Sequence, residues 1–218
     1  MSSFLGHSVA AITVYVATEA LIQPVGFTKS IWLFQLDRLL WICWLIVVAS
    51  LPDLDYVVEP WQSSNNQGLR ITHSVLFSLI MPSLTIATLV GMKIRCQQLW
   101  RPGFQVVLAG LSHPVLDLLV GVTPLPLLFP LIKIPIKLPF GILPSAGKIE
   151  LHNYYFYRNL LLEIGVLFPL LIMSGLLNIR SIFTAKDRPV RKLCGQFSLI
   201  ILLLCLGYFI RQNLQLPR

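Results

Sequence analysis

The stretch F-Q-V-V-L-A-G-L-S-H-P-V-L-D-L-L-V-G-V, Phe104 to Val122, decides how the rest of the chain is read. As a helix it is long enough to cross the roughly 30 Å hydrocarbon core of a bilayer, yet it holds His113 and Asp117. Ionisable groups in such a segment are costly beside lipid. They should face protein, and they mark a functional site by default. Residues four apart share a helix face, so one cation can reach both side chains. A buried His–Asp pair supporting a kink accounts for the same spacing. Pro114 removes a backbone donor and crowds the carbonyl of Gly110. The helix should therefore kink there or restart near Ser112, and both versions keep His113 and Asp117 on one side.

The same character runs through the whole sequence. Its 218 residues are 56% hydrophobic and 12% charged, with mean hydropathy +0.76, against about 25% charged in a soluble domain. The expected fold is all-α: a polytopic membrane bundle of about five to six helices, with residues 1–218 forming a single integral membrane domain. Six apolar segments stand out: Val9 to Ile22, Leu39 to Leu51, Ser74 to Met92, Phe104 to Val122, Leu160 to Ile179 and Leu193 to Ile210. The first is short and carries Glu19, so it is read either as a span or as an interfacial or bundle-buried helix. The net charge of +8 does not point to nucleic acid, because the basic residues sit at segment ends, where topology explains them. The four cysteines form no CxxC motif, which suggests neither a zinc ribbon nor a disulfide framework. No charged leader precedes Lys29, so no cleavable signal peptide is expected.

Threading the six segments alternately places Lys29, Arg38, Lys93, Arg95, Arg101, Arg180, Lys186, Arg188, Arg191 and Lys192 on one face. Short basic loops mark the cytoplasmic side, which puts both termini outside. By this topology His7, Asp53, Asp55, His73, His113, Asp117 and Glu163 all arrive at the outer side, although the charge rule takes no account of them. Between Gly121 and Asn153, prolines 124, 126, 130, 135, 139 and 144 exclude a continuous helix. Non-helical backbone must avoid bare lipid, so this proline-rich segment is expected at the interface. The alternation from Ile132 to Pro139 puts Lys133 and Lys137 on one side of an extended run.

The candidate ligands are His7, Asp53, His73, His113, Asp117 and Glu163. Asp53 and Asp55, in L-P-D-L-D, are close enough to share one ion or bridge two, since such carboxylates repel unless a cation or proton lies between them. A proline turn and helix cap is the structural alternative. Thr72-His73-Ser74 reads as a helix start with Thr72 as N-cap. Glu163, inside an apolar span, needs Arg158 or a metal as partner. His152 lies in an aromatic stretch that suits the interface equally well. Imidazoles with carboxylates suit zinc, with manganese or iron possible, better than magnesium or calcium. The number of candidates suggests one or two ions.

His7, Leu51-Pro52-Asp53-Leu54-Asp55, Thr72-His73-Ser74, Leu111-Ser112-His113-Pro114-Val115-Leu116-Asp117 and Pro126-Leu127-Leu128-Phe129-Pro130 follow in an order that resembles the YdjM-like family of LexA-regulated, membrane-bound metal-dependent hydrolases. That family is similar in turn to zinc-dependent phospholipase C and P1-type nucleases. The resemblance implies that Asp53, His73, His113 and Asp117 hold one metal, with Asp117 reaching toward a second near His7. It also implies hydrolysis of a phosphoester, a lipid headgroup or another phosphorylated substrate, at the extracytoplasmic side of the inner membrane. Asp55, where it is not a ligand, is then the candidate general base. A small transporter with a broken helix at Gly110 to Pro114 is the alternative, and a scaffold whose polar residues merely pair is a third reading.

Overall fold

The computed structural model describes residues 3–21, 37–56, 58–61, 69–94, 96–121, 123–139, 141, 143, 154–178, 195, 199 and 201–203. Among these there are six α-helices: α1 (Phe4–Leu21), α2 (Asp37–Ser50), α3 (Val75–Ser78), α4 (Ile80–Gly91), α5 (Cys96–Val120) and α6 (Tyr154–Asn178). They contain no strand, only an isolated antiparallel bridge between Leu125 and Ile136. The chain is thus all-α. Most of the sixth apolar segment, and His152, lie outside the described residues.

Helix α5 is the hub. It packs on α1, α2, α3 and α4, while α1 also lies along α6. Small side chains make the central approach possible. Ala11, Ala49 and Ala109 are fully buried with Leu45, Val48 and Val106 where α1, α2 and α5 meet. Across α1, Ala10 joins Leu116, Val120, Val166 and Leu167 against α6. In lipid, where apolar surface gains little by leaving the solvent, close packing of small residues is a main source of helix association. Large apolar side chains such as Leu39, Leu84, Leu161 and Phe168 remain exposed, while His7, His73, His113, Asp117 and Glu163 are buried. Greasy outside and polar inside is the pattern of helices that face lipid.

Among the described residues three helical stretches, Arg38–Tyr56, Gln98–Val120 and Tyr157–Gly175, are long and apolar enough to cross a membrane, and Val75–Gly91 is shorter. The span read from Ser74 to Met92 is in fact two helices meeting at Leu79. Pro82 is the physical reason, for it supplies no N–H to the carbonyl of Ser78 four residues back. That carbonyl turns to the α5 face instead. A Cβ on Gly110 would lie 2.6 Å from Ser78 O and 2.8 Å from Pro82 Cγ. Conversely, α5 runs unbroken from Cys96 to Val120 with Pro102 and Pro114 inside it. Of the two alternatives, kink or restart, the restart at Ser112 does not occur, and Ser112 Oγ donates to Ala109 O at 2.7 Å.

Candidate metal centre

Four chain segments end at the same place. His7 lies one turn inside α1, and Asp53 on the 3-10 turn Leu51–Tyr56 that follows α2. His73 closes the 3-10 turn Ile71–His73 just before α3, and His113 with Asp117 occupy the last part of α5. His7, Asp53, His113 and Asp117 each offer a ligand atom, all within 4.8 Å of one another. His73 Nε2 completes the group, 3.2 Å from Asp117 Oδ2 and 3.6 Å from Asp53 Oδ1. His113 Nε2 lies 3.6 Å from Asp117 Oδ2 and 3.8 Å from Asp53 Oδ1, and His7 Nε2 lies 3.8 Å from Asp53 and 3.9 Å from Asp117. The rings of His7 and His113 stack at 3.9 Å, and His73 meets His113 edge-on at 4.8 Å.

These residues fit a divalent ion. Metal–ligand bonds of about 2.0–2.2 Å place neighbouring donors roughly 3.0–3.6 Å apart, and the imidazole-to-carboxylate spacings run from 3.2 to 3.9 Å. The Nε2 atoms of His7, His73 and His113, and Asp53 Oδ1, are buried without a hydrogen-bond partner among the described residues. Such buried donors and acceptors are expensive unless something satisfies them. His113 settles its own tautomer: Nδ1 lies 2.7 Å from the carbonyl of Ala49, which can only accept. Nδ1 therefore carries the proton, and a neutral ring turns the Nε2 lone pair toward the carboxylates. This is how a metal-ligating histidine is commonly held.

Asp53 and Asp55 engage different partners. Side chains two apart on a 3-10 turn point about 120° apart, so Asp53 faces the imidazoles while Asp55 faces Arg70. The Arg70 fork donates from Nε to Asp55 Oδ2 at 2.7 Å and from Nη2 to Oδ1 at 2.6 Å. Burial lowers the Arg70 pKa, but the Asp55 hydrogen bond together with the charges of Tyr56, Asp55 and Asp53 outweighs it and holds the guanidinium above its ordinary value. Asp55 Oδ2 in turn stands 3.7 Å from His73 Nδ1, whose nearer neighbour is Thr72 Oγ1 at 2.9 Å. Thr72 is therefore not the helix cap its position suggests. Ser74 caps α3, its hydroxyl accepting from Phe77 N. Burial opposes charge on His73, yet the facing carboxylates of Asp117 and Asp53 raise its pKa above the usual imidazole value.

Glu163 lies outside this group. Both its oxygens accept from the Ser3 backbone N–H, at 3.0 and 3.1 Å. Ser3 caps α1 by accepting from Gly6 N, and its carbonyl accepts from His7 N. One polar group escaped the sequence reading. Glu19 pairs with Arg101, and Gln105 donates to Thr18 Oγ1 and accepts from Trp41 Nε1 near the opposite end of α1. A carboxylate inside one apolar segment, Glu19, and an arginine just ahead of another, Arg101, both at the cytoplasmic end of the threading, were the available signal.

Lipid-facing helices around a buried imidazole–carboxylate cluster define a helical membrane protein with a candidate metal centre. The chain belongs to the YdjM inner membrane protein family, whose sequence model matches residues 1–214. No curated protein and no solved structure matches it.

Proposed function

We propose that the chain is a membrane-embedded, metal-dependent hydrolase of phosphoesters, its centre built from His7, Asp53, His73, His113 and Asp117. One observation carries the metal: three buried Nε2 atoms converge on two carboxylates at ion-sharing distances. The mixed nitrogen and oxygen donors favour zinc, with manganese next, and the single donor group favours one ion. A bound ion of this kind supplies Lewis acidity toward a phosphoryl oxygen and activates water at neutral pH. Asp53, with 22% of its side chain exposed where the other four donors are sealed, lies at the opening through which a substrate or water reaches the cluster. Asp55, held by the Arg70 fork, orients His73 and is better placed for that than for taking a proton. With short basic loops on the cytoplasmic side, the opening faces the extracytoplasmic leaflet.

Sealing of those four donors favours a second reading, a structural ion tying α1, α2, α3 and α5 together, because catalytic sites keep an open position. The transporter reading loses its broken helix, since α5 is continuous through Gly110 and Pro114. Metal analysis of detergent-purified protein, followed by phosphodiester and phospholipid hydrolysis with Asp53→Asn as control, tests the proposal. Retained zinc with turnover lost in Asp53→Asn supports the hydrolase. Zinc retained with no turnover in the native chain supports the structural ion, and absence of any stoichiometric metal overturns both.

A further inference from the structure

The segment that leaves α5 four residues after Asp117 presents an unusual surface. Leu131 is 81% exposed and Ile134 73%, with Leu128, Ile132 and Ile136 each 40% exposed or more. Lys133 and Lys137 are exposed between them. Ile132, Ile134 and Ile136 alternate with the lysines, so the run has one branched apolar edge and one cationic edge. From Leu118 to Ile149 the sequence holds three lysines and no acidic residue. On a soluble surface a contiguous apolar patch of this kind marks an interaction site.

Its footing is hydrogen-bonded to the residue that follows His73 and Ser74. Leu125 is fully buried and exchanges two backbone hydrogen bonds with Ile136, each 2.8 Å, and the carbonyl of Leu127 accepts from Val75 N, two residues beyond His73. Between those anchors residues 127–131 form a turn, closed by Ile132 N donating to Leu128 O at 3.0 Å, and residues 132–135 run on without regular structure to the bridge at Ile136, with Pro130 and Pro135 bringing no N–H to satisfy. Bare irregular backbone excludes the hydrocarbon centre, while exposed isoleucines exclude a fully aqueous setting. The headgroup boundary meets both demands. The lysines also stand on the side where the threading leaves fewer basic residues in short loops, so topology does not account for them.

We infer that residues 128–137 form a lipid-binding edge in which Leu131 and Ile134 enter the acyl boundary and Lys133 and Lys137 hold anionic phospholipid headgroups. This edge stands on its own surface chemistry, independently of whether the centre hydrolyses anything. Each lysine near a membrane surface is worth about a fivefold preference for anionic lipid, and two together roughly thirtyfold.

The test uses the full chain with its four cysteines changed to serine and an environment-sensitive fluorophore at Leu131→Cys or Ile134→Cys, reconstituted in nanodiscs. Shallow doxyl-labelled lipids should quench the label and aqueous iodide should not. Doxyl-phosphatidylglycerol should outcompete doxyl-phosphatidylcholine at equal mole fraction, and Lys133→Gln with Lys137→Gln should bring the two to parity. Quenching by iodide means that the edge is in water, and protection from both quenchers means that protein covers it. Either result, or a phosphatidylglycerol preference that survives both lysine changes, overturns the inference. Metal content of the same samples, which the lysine changes should leave untouched, separates failure of the edge from failure of the metal centre.

Discussion

Asp117→Asn keeps the shape of the side chain and removes its charge, which makes it the sharpest test of the centre. The Asp117 oxygens lie 3.2 Å from His73 Nε2, 3.6 Å from His113 Nε2 and 3.9 Å from His7 Nε2, so a single change touches all three imidazoles. Zinc held by a full protein ligand set binds with about 10–16 kcal/mol at neutral pH, so one donor of five carries roughly 2–3 kcal/mol. That corresponds to a loss of about 30- to 200-fold in affinity. An ion at 1,000 times its dissociation constant adds about 4 kcal/mol to folding stability. At roughly 2–4 °C per kcal/mol for a chain of this size, a chelator should lower the native Tm by about 10 °C. The assay is metal stoichiometry by mass spectrometry together with thermal melting, with and without chelator. In competition with a chelator Asp117→Asn should give up its metal about 30- to 200-fold more readily, and the Tm drop on chelation should fall to about half or less, since an ion then at about 5–33 times its dissociation constant adds only about 1–2 kcal/mol. Glu19→Gln, remote from the centre and engaged with Arg101, should match the native chain in both. A native Tm indifferent to chelator, or native-like metal retention in Asp117→Asn, would refute the reasoning, because a cluster held by ion pairs alone has nothing for a chelator to remove.

Gly110→Ala should destabilise the bundle by about 1–3 kcal/mol, the usual cost of overpacking, since the new Cβ meets the Ser78 carbonyl and the Pro82 ring; Gly103→Ala, 3.7 Å from Ile86, should melt near the native temperature. Arg70→Lys breaks the fork that holds Asp55 beside His73, and metal affinity by competition titration should fall about 10- to 100-fold, as for other supports behind a ligand. Glu163→Gln keeps a carbonyl for the Ser3 amide, so cobalt-substituted protein should show an unchanged ligand-field spectrum with somewhat weaker binding; a changed spectrum would make Glu163 a ligand. Metal affinity should rise with pH: the His73 pKa sits above the usual imidazole value, so the metal-free protein keeps that proton until pH passes it, and binding below that point must expel it. Calorimetry in buffers of different ionisation enthalpy reads the proton release, and an affinity flat across this range would remove His73 from the centre.

Much of this arrangement was legible because it depends on local rules. His113 and Asp117 share a face by helical spacing alone, and His7 and His73 lie at helix starts that a charge-based threading sends to one side. What was hidden depends on tertiary contacts or on a change of helix type. The divergence of Asp53 and Asp55 follows from a 3-10 turn that L-P-D-L-D does not distinguish from a cap. Glu163 finds Ser3 across 160 positions of sequence, a pairing with no local signature. Arg70 reads as a loop charge until Asp55 is placed against it. Thr72 has the chemistry of a cap but spends its hydroxyl on His73 Nδ1, leaving the capping to Ser74.

The distances also bear on whether protons alone can hold the cluster. A proton shared between imidazole and carboxylate needs about 2.7–3.2 Å between the heavy atoms. Of the six Nε2-to-carboxylate separations, only His73 to Asp117 at 3.2 Å falls in that range, and the other five lie at 3.6–3.9 Å. A proton bridges one gap; a divalent ion spans all six from a single central position. The carboxylates of Asp117, sealed, and Asp53, part exposed, carry two negative charges, and a divalent ion cancels both at once, whereas a proton on either leaves the His113 Nε2 lone pair without a donor within hydrogen-bond range. The Ala49 carbonyl removes the remaining escape, since by claiming the Nδ1 proton it leaves a neutral His113 no means of donating from Nε2. The folded backbone thus poses an acceptor to the centre that a cation answers and a hydrogen bond at these separations does not.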